Sequence, residues 1–244
     1  MKVFLAGTFS RERLFREEMP KPLYILESFY YVKEWQMQRM QEWKMFLLDS
    51  GAFTFMSNTS SCDFDKYLYN YIQFINKYDI KYFFELDIDN VVGYEKVLQM
   101  REILEKETGK KCIPVWHKKR GLQDFEETTK KYNYVAIGGI VTKEIQKKDY
   151  DIFSYLLSIA HKNQCRVHGL GFTSTEGMKK YKFDSVDSTK WLSASRFAQV
   201  QYFDGKAIKK YKTQAGKKMV HYQTVDDFVF KEWIKFQKYA EVNL

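Results

Sequence analysis

Three aspartates each close a short hydrophobic run: Asp49 in MFLLDSGAF, Asp87 in YFFELD and Asp187 in FDSVDST. Carboxylates brought from several strand ends to one mouth are an arrangement for chemistry, acid–base or nucleophilic. The plain alternative for each is a helix N-cap, a role that Asp shares with Ser and Thr. Asp49 and Asp187 are each followed by a serine, Ser50 and Ser188, which frees the carboxylate if the serine does the capping. Asp63 and Asp226 read as caps. Asp184 and Asp187 are three positions apart, so in a strand they face opposite sides. Asp187 lies nearer the strand end and is the preferred candidate.

Glycines accompany these acids. Gly138-Gly139 and the GLG of Gly169 to Gly171 remove side chains where a flat ligand could lie against backbone, and expose N–H donors. Read singly, each glycine is a tight turn. His117 ends another run, PVWH, and no histidine pair has metal-ligand spacing. A serine nucleophile elbow, a phosphate-binding P-loop and a dinucleotide fingerprint are all missing from the sequence.

The elements that must position these residues are eight strand-like runs, at 2–7, 23–28, 45–50, 82–87, 112–117, 134–139, 166–171 and 183–188. Helical spacing at 64–78, 94–108 and 152–163 separates several of them, and a brief helix is expected within 11–18. Alternating strand and helix implies parallel pairing, so the fold class is α/β and the first choice a (β/α)8 TIM barrel, with an open doubly wound sheet second. A β-hairpin insertion is expected at 198–215, turning at Asp204-Gly205, and a closing helix at 225–242. One catalytic domain, 1–244, accounts for the length.

Forty Lys and Arg against 31 Asp and Glu give a net charge of +9, which favours polyanionic partners. Basic residues collect beside the expected mouth: Lys118, Lys119 and Arg120 after one strand, Lys190 and Arg196 after another, and Lys206, Lys209, Lys210 and Lys212 on the hairpin. With Trp116, Trp191 and Tyr202 interleaved they read as a groove tracking a nucleic-acid backbone, the alternative being a solvated face. Cys62, Cys112 and Cys165 form no close pair, so neither a disulfide framework nor a zinc cluster is expected. No apolar run nears the roughly 18 residues of a membrane span, and the first residues lack a signal-peptide core. A cytoplasmic protein without metal or cofactor is expected.

The order of motifs resembles the queuine and archaeosine tRNA-guanine transglycosylases, and more closely the shorter phage-type DNA-guanine transglycosylases. DSGAF, from Asp49 to Phe53, resembles the family's DSGGF. ELD at Glu85 to Asp87 resembles the strand end whose aspartate reads the purine, and PVWH stands where the family has PVQGG. GGIVTKE, Gly138 to Glu144, is similar to GGLAVGE; HGLG, His168 to Gly171, to MGVG; and VDSTKW, Val186 to Trp191, to the archaeal FDSASY. An alternative alignment sets FDSV on that last motif and promotes Asp184. The resemblance runs from about Phe46 to Tyr211. Two departures stand out: the family's CxCxxC zinc site and its appended subdomain are missing, and Trp116 replaces the glutamine that contacts the base.

The resemblance implies exchange of guanine in DNA for a free 7-deazaguanine base of the preQ0 type. Asp187 is then the nucleophile and Asp49 the acid and base, with at least one pKa raised by crowding. Asp87 reads the guanine edge, and Ser50, Gly51, Trp116, His117, Gly138, Gly139, His168 and Gly169 complete the base site. Lys118, Lys119, Arg120, Lys190, Arg196, Lys209 and Lys210 hold the backbone of a flipped or single-stranded substrate. DNA is preferred and tRNA is the alternative substrate. The chain would act in the host cytoplasm if phage-encoded, alone, as a homodimer or with an accessory protein. Two rivals remain from other classes: a nucleoside N-glycosidase or ribosyl hydrolase on the same barrel, and a catalytically silent nucleic-acid-binding barrel.

Overall fold

The computed structural model describes residues 1–51, 54, 63–193, 199–211 and 222–244. Cys62, Arg196, Lys212, His221 and the outer parts of the expected hairpin, 198 and 212–215, lie outside the described residues.

Strands β1 (Lys2–Ala6), β2 (Tyr24–Ser28), β3 (Met45–Asp49), β4 (Val115–Trp116), β5 (Tyr134–Ile137), β6 (Arg166–Gly169) and β7 (Ser185–Ser188) form one sheet in the order β3-β2-β1-β7-β6-β5-β4. Every pairing is parallel. Helices alternate with these strands, Phe64–Lys77, Tyr94–Thr108, Gly121–Lys131 and Ile152–Lys162 being the longest of them, so the fold is mixed α/β around a curled parallel sheet.

The run expected as a strand at 82–87 pairs only at Phe83 and Phe84. These bridge Leu48 and Ile113, respectively, both in parallel, so the segment touches both edges of the sheet. Glu85 N still donates to Ile113 O at 3.1 Å, and beyond it the chain leaves the ladder.

Side chains alternate between two apolar layers, as the period of a strand requires. Phe4, Leu26, Leu47, Val115 and Ala136 belong to one cluster inside the curl. Val3, Leu5, Ile25, Leu48, Val135 and Val186 belong to the other, against the helices. Continuing the inner set past each strand end reaches Asp49 after Leu47, His117 after Val115 and Gly138 after Ala136. The same alternation turns Trp116 outward, where it is buried against Phe125 with ring centroids 5.4 Å apart.

Asp63 caps the helix Phe64–Lys77, accepting from Lys66 N at 3.0 Å, and that helix buries Leu68, Tyr71, Ile72 and Ile75 at helical spacing. Asp226 is not a cap. It lies within the long helix Tyr222–Asn243, buried, facing Arg11 and Arg13 at 3.5 and 3.3 Å. That helix starts earlier than expected and fastens to the sheet through Gln237, whose Nε2 donates to Val3 O and Tyr24 O. The brief element expected at 11–18 is a single 3-10 turn, Glu12–Phe15.

The hairpin pairs β8 (Gln201–Phe203) with β9 (Ile208–Lys210). Its turn holds four residues rather than two, because the Asp204 carboxylate accepts from Lys206 N and Ala207 N and so stabilises a wider loop. It is not free-standing: Trp233 Nε1 donates to Gln201 Oε1, and Phe203 N to Glu232 Oε2, on the long helix.

A buried ionic cluster fixes the 82–85 segment. Glu85, fully buried, accepts from Arg101 Nε at 2.5 Å, Arg120 Nη1 at 3.1 Å and Val115 N at 2.8 Å. Arg120 also reaches both oxygens of Asp89 at 3.0 Å, with only 2% of its side chain exposed. Removing one partner from such a cluster strands a charge away from water. Arg120→Ala is therefore expected to lower unfolding free energy by about 3–5 kcal/mol in urea titrations, an effect that a solvent-facing phosphate contact would not show.

Candidate functional site

The carboxyl ends of the parallel strands surround a cavity of about 890 Å³. Asp49, Asp87 and Asp187 all line it, with His117, Gly138 and Gly139 between them. The register sets Asp49 beside Ser28 and Asp187 beside Phe4, and both residues line the cavity.

Each aspartate is held differently. Asp187 Oδ1 accepts from Gly171 N at 2.6 Å and lies 3.3 Å from His168 Nε2, while His168 Nδ1 is 2.8 Å from Ser185 Oγ. Among the described residues Oδ2 has no hydrogen bond, so one oxygen is anchored and the other faces the cavity. Ser188 does the local capping, its Oγ accepting from Lys190 N at 3.1 Å. Asp184, the alternative candidate, precedes β7 and binds Val167 N and His161 Nε2 at 2.8 and 3.0 Å, on the helix side and outside the cavity.

Asp49 Oδ2 accepts from Gly51 N at 3.0 Å. Burial raises its pKa to about 7, with the charges of Asp87 and Asp187 adding to the rise and the Gly51 bond opposing it. Burial also raises the Asp87 carboxyl, and the hydrogen bond and charge of His117 offset only part of that. His117 Nε2 is 3.1 Å from Asp87 Oδ2 and its Nδ1 is 3.2 Å from Glu144 Oε2. Burial is the largest single influence and works against charge on this imidazole, but the hydrogen bond and charge of Asp87, with the charge of Asp89, together outweigh it and the pKa is raised. An imidazolium between two carboxylates keeps both nitrogens as donors and leaves Asp87 an acceptor.

The glycines serve this histidine. A Cβ on Gly138 would sit 2.7 Å from His117 Cε1, and one on Gly139, at φ +82°, would meet Glu144 Oε2 at 3.0 Å. Both glycines leave room for the His117–Glu144 pair as well as lining the cavity.

Several residues expected at the base site are not part of the cavity lining. Trp116 faces outward, its Nε1 donating to Gly121 O at 2.8 Å. Ser50 is buried with its carbonyl accepting from Tyr67 OH, and Gly51 spends its N–H on Asp49. His168 is fully buried beneath Asp187, where it positions that carboxylate. Gly169 makes room for Phe172 and Phe183, each 3.1 Å from a would-be Cβ. The outward alternation of these side chains, or their depth below the mouth, removes them from contact.

The expected backbone groove also divides. Arg120 belongs to the buried cluster, Lys119 Nζ bonds Asn90 Oδ1 and faces Asp89, and Lys118 is 3.8 Å from Asp149. Trp191 is buried with Nε1 donating to Ala6 O, and Tyr202 pairs with Tyr211 at 4.5 Å between ring centroids. Lys209 reaches toward Asp204 at 4.0 Å, whereas Lys190 lines the cavity.

Three features escaped the sequence reading. Phe9 and Tyr31 stack at 4.8 Å and 15° on the cavity wall, contributed by loops without any motif. Buried Glu27 ties those loops together, accepting from Thr8 Oγ1, Phe9 N and Gln36 Nε2 at 3.1, 2.9 and 2.9 Å. Glu144 closes the GGIVTKE segment; its place at the end of that motif was the available signal.

The chain matches no protein-family model and no curated protein sequence. Among the described residues, no helix is long and apolar enough to cross a membrane.

A carboxyl with its folded pKa raised binds a proton that the unfolded chain has lost, so stability falls as pH rises from about 4 to about 7. Asp49→Asn abolishes that loss. The variant should gain about 4 kcal/mol over the parent at pH 8, and melting curves should show the gain shrinking toward pH 4.

Proposed function

We propose that this chain is a nucleic-acid guanine transglycosylase, exchanging guanine in DNA for a 7-deazaguanine of the preQ0 type on a (β/α)8 barrel. In this reading the 82–85 segment is the remaining strand, joining β3 to β4 through its two parallel bridges. The observation that carries the function is the single cavity holding Asp49, Asp87 and Asp187, with one Asp187 oxygen anchored by Gly171 N and the other without a described hydrogen bond.

Asp187 Oδ2 bonds to C1′ of the target nucleotide as the C1′–N9 bond breaks, and guanine departs carrying a proton from Asp49. The incoming 7-deazaguanine then gives its N9 proton to Asp49, and N9 attacks C1′ and releases Asp187. This is a double displacement in which a nitrogen base replaces water. A pKa of about 7 suits Asp49 to give and take that proton near neutrality. Asp87, kept an acceptor by His117, takes hydrogen bonds from guanine N1–H and its exocyclic amine, an edge that adenine lacks. The three carboxylates line a concave cavity, so the nucleotide must be unstacked or flipped to enter.

The test is incubation with radiolabelled guanine and, separately, duplex DNA, single-stranded DNA and tRNA. Label should enter DNA and be lost with Asp187→Ala; entry into tRNA alone transfers the reading to the tRNA enzymes, and no entry into any polymer overturns it. In a single turnover, guanine release should slow as pH rises through about 7, since Asp49 must then start protonated. Loss of that pH dependence in Asp49→Asn is the expected companion result.

A further inference from the structure

A second cavity, of about 380 Å³, adjoins the first. The two share Val141, Gly171, Thr173 and Lys190 in their linings. Gly171 is the residue whose N–H anchors Asp187, so the second cavity opens where the proposed nucleophile is held. Its charge is opposite to that of its neighbour. Lys147, Lys190 and Lys210 all line it, whereas the first cavity has Lys190 as its one lysine among the described residues and carries Glu27 and the three aspartates.

None of these three lysines forms an ion pair among the described residues. Lys190 Nζ donates to Thr173 O at 2.9 Å, and Lys210 Nζ to Gln199 Oε1 at 2.8 Å, both neutral acceptors that leave ammonium protons over. Glu176 also lines the pocket without pairing with any of the three. Lys190 is exposed at the shared lining, and its partial desolvation, followed by the charges of Lys210 and Lys147, lowers its pKa. Three neighbouring cations do have carboxylates: Lys118 has Asp149, Lys119 has Asp89, and Arg120 has Glu85 and Asp89. Three lysines lining one concavity with no ion pair among the described residues repel one another, and an anion relieves that repulsion. Tyr150, Ile208 and Trp233 supply the pocket with apolar wall.

We infer that this pocket is a phosphodiester subsite, in which Lys147, Lys190 and Lys210 hold a backbone phosphate next to the nucleotide undergoing exchange. The inference rests on the proposed function for the polymer it names. It goes beyond it by fixing how the nucleotide lies: base toward Asp49 and Asp87, sugar over Asp187, phosphate across Gly171 toward Lys190. The segregation of charge enforces that direction, because a phosphate is repelled by the carboxylate-lined cavity and attracted by the lysines. It also moves the main phosphate contact away from Lys118, Lys119 and Arg120 and onto Lys147, which no motif marked.

The experiment measures binding without exchange, using a short single-stranded oligodeoxynucleotide that contains one guanine, over a range of salt concentrations. Lys147, Lys190 and Lys210 are replaced by alanine singly and together, with Lys130→Ala, a surface lysine paired to Glu126, as control. Removing one lysine–phosphate interaction should reduce the slope of log affinity against log salt by about 0.7, and the triple variant should bind about 10-fold or more weakly at moderate salt. A neutral methylphosphonate placed at the phosphate flanking the guanine should weaken the parent and leave the triple variant unchanged. Equal slopes in parent and triple variant, with melting temperatures equal, would overturn the subsite. Binding of guanosine monophosphate but of no oligonucleotide would overturn its assignment to a polymer. Because the readout needs no glycosyl chemistry, loss of base exchange with the lysine effects intact would sink the transglycosylase reading alone.

Discussion

The gathering of Asp49, Asp87 and Asp187 in one cavity, where burial disfavours charge, is the constraint on which the site depends. Three carboxylates in one cavity cannot all be anionic without compensation, and each receives a different form of it. Asp187 is given a backbone N–H and a histidine, Asp87 a histidine that is itself bridged to a second carboxylate, and Asp49 one backbone N–H. The least compensated of them, Asp49, has its pKa raised to about 7. On the proposed reading, environment separates three chemically identical groups into a nucleophile, an acceptor and a proton carrier.

Those compensations depend on features far less visible than the aspartates. Gly138 and Gly139 admit the His117–Glu144 pair, so a side chain at either would displace the partner of Asp87. Ser185 fixes the His168 ring from below while hydrogen bonding with Tyr134 OH at 2.5 Å. The Glu85–Arg101–Arg120–Asp89 cluster holds the segment that leads to Asp87, and burial makes that cluster strong only while it is complete. Stability and site geometry are coupled here, since the same short segment joins both edges of the sheet and delivers one of the three carboxylates.

Charge is also partitioned across the mouth. Acidic groups line the deeper cavity and lysines the adjoining one, with Lys190 at the boundary. On the proposed reading the substrate nucleotide has a neutral base and an anionic phosphate, and this division would orient it before any specific contact forms. The aromatic pair Phe9–Tyr31 lies on the wall opposite in chain order, on loops tied together by Glu27.

The alternating strand–helix order, the parallel sheet and the convergence of Asp49, Asp87 and Asp187 on one mouth were legible in the sequence, because period-two apolar runs and the residues that close them are local properties. Parity set Asp184 and Asp187 on opposite faces and nearness to the strand end favoured Asp187, while the same parity applied to PVWH turns Trp116 outward and His117 inward. The long helix and the hairpin were legible for the same reason, but their ends and the width of the turn were not, since Asp204 and Gln237 act through particular contacts. Only the tertiary structure decided which basic residues face the mouth. Lys118, Lys119, Arg120 and Lys190 look alike in sequence, and what separates them is whether a carboxylate from another part of the chain, such as Glu85 or Asp89, arrives within reach. Pairing between residues about 30 positions apart depends on how the sheet curls, which no local pattern encodes.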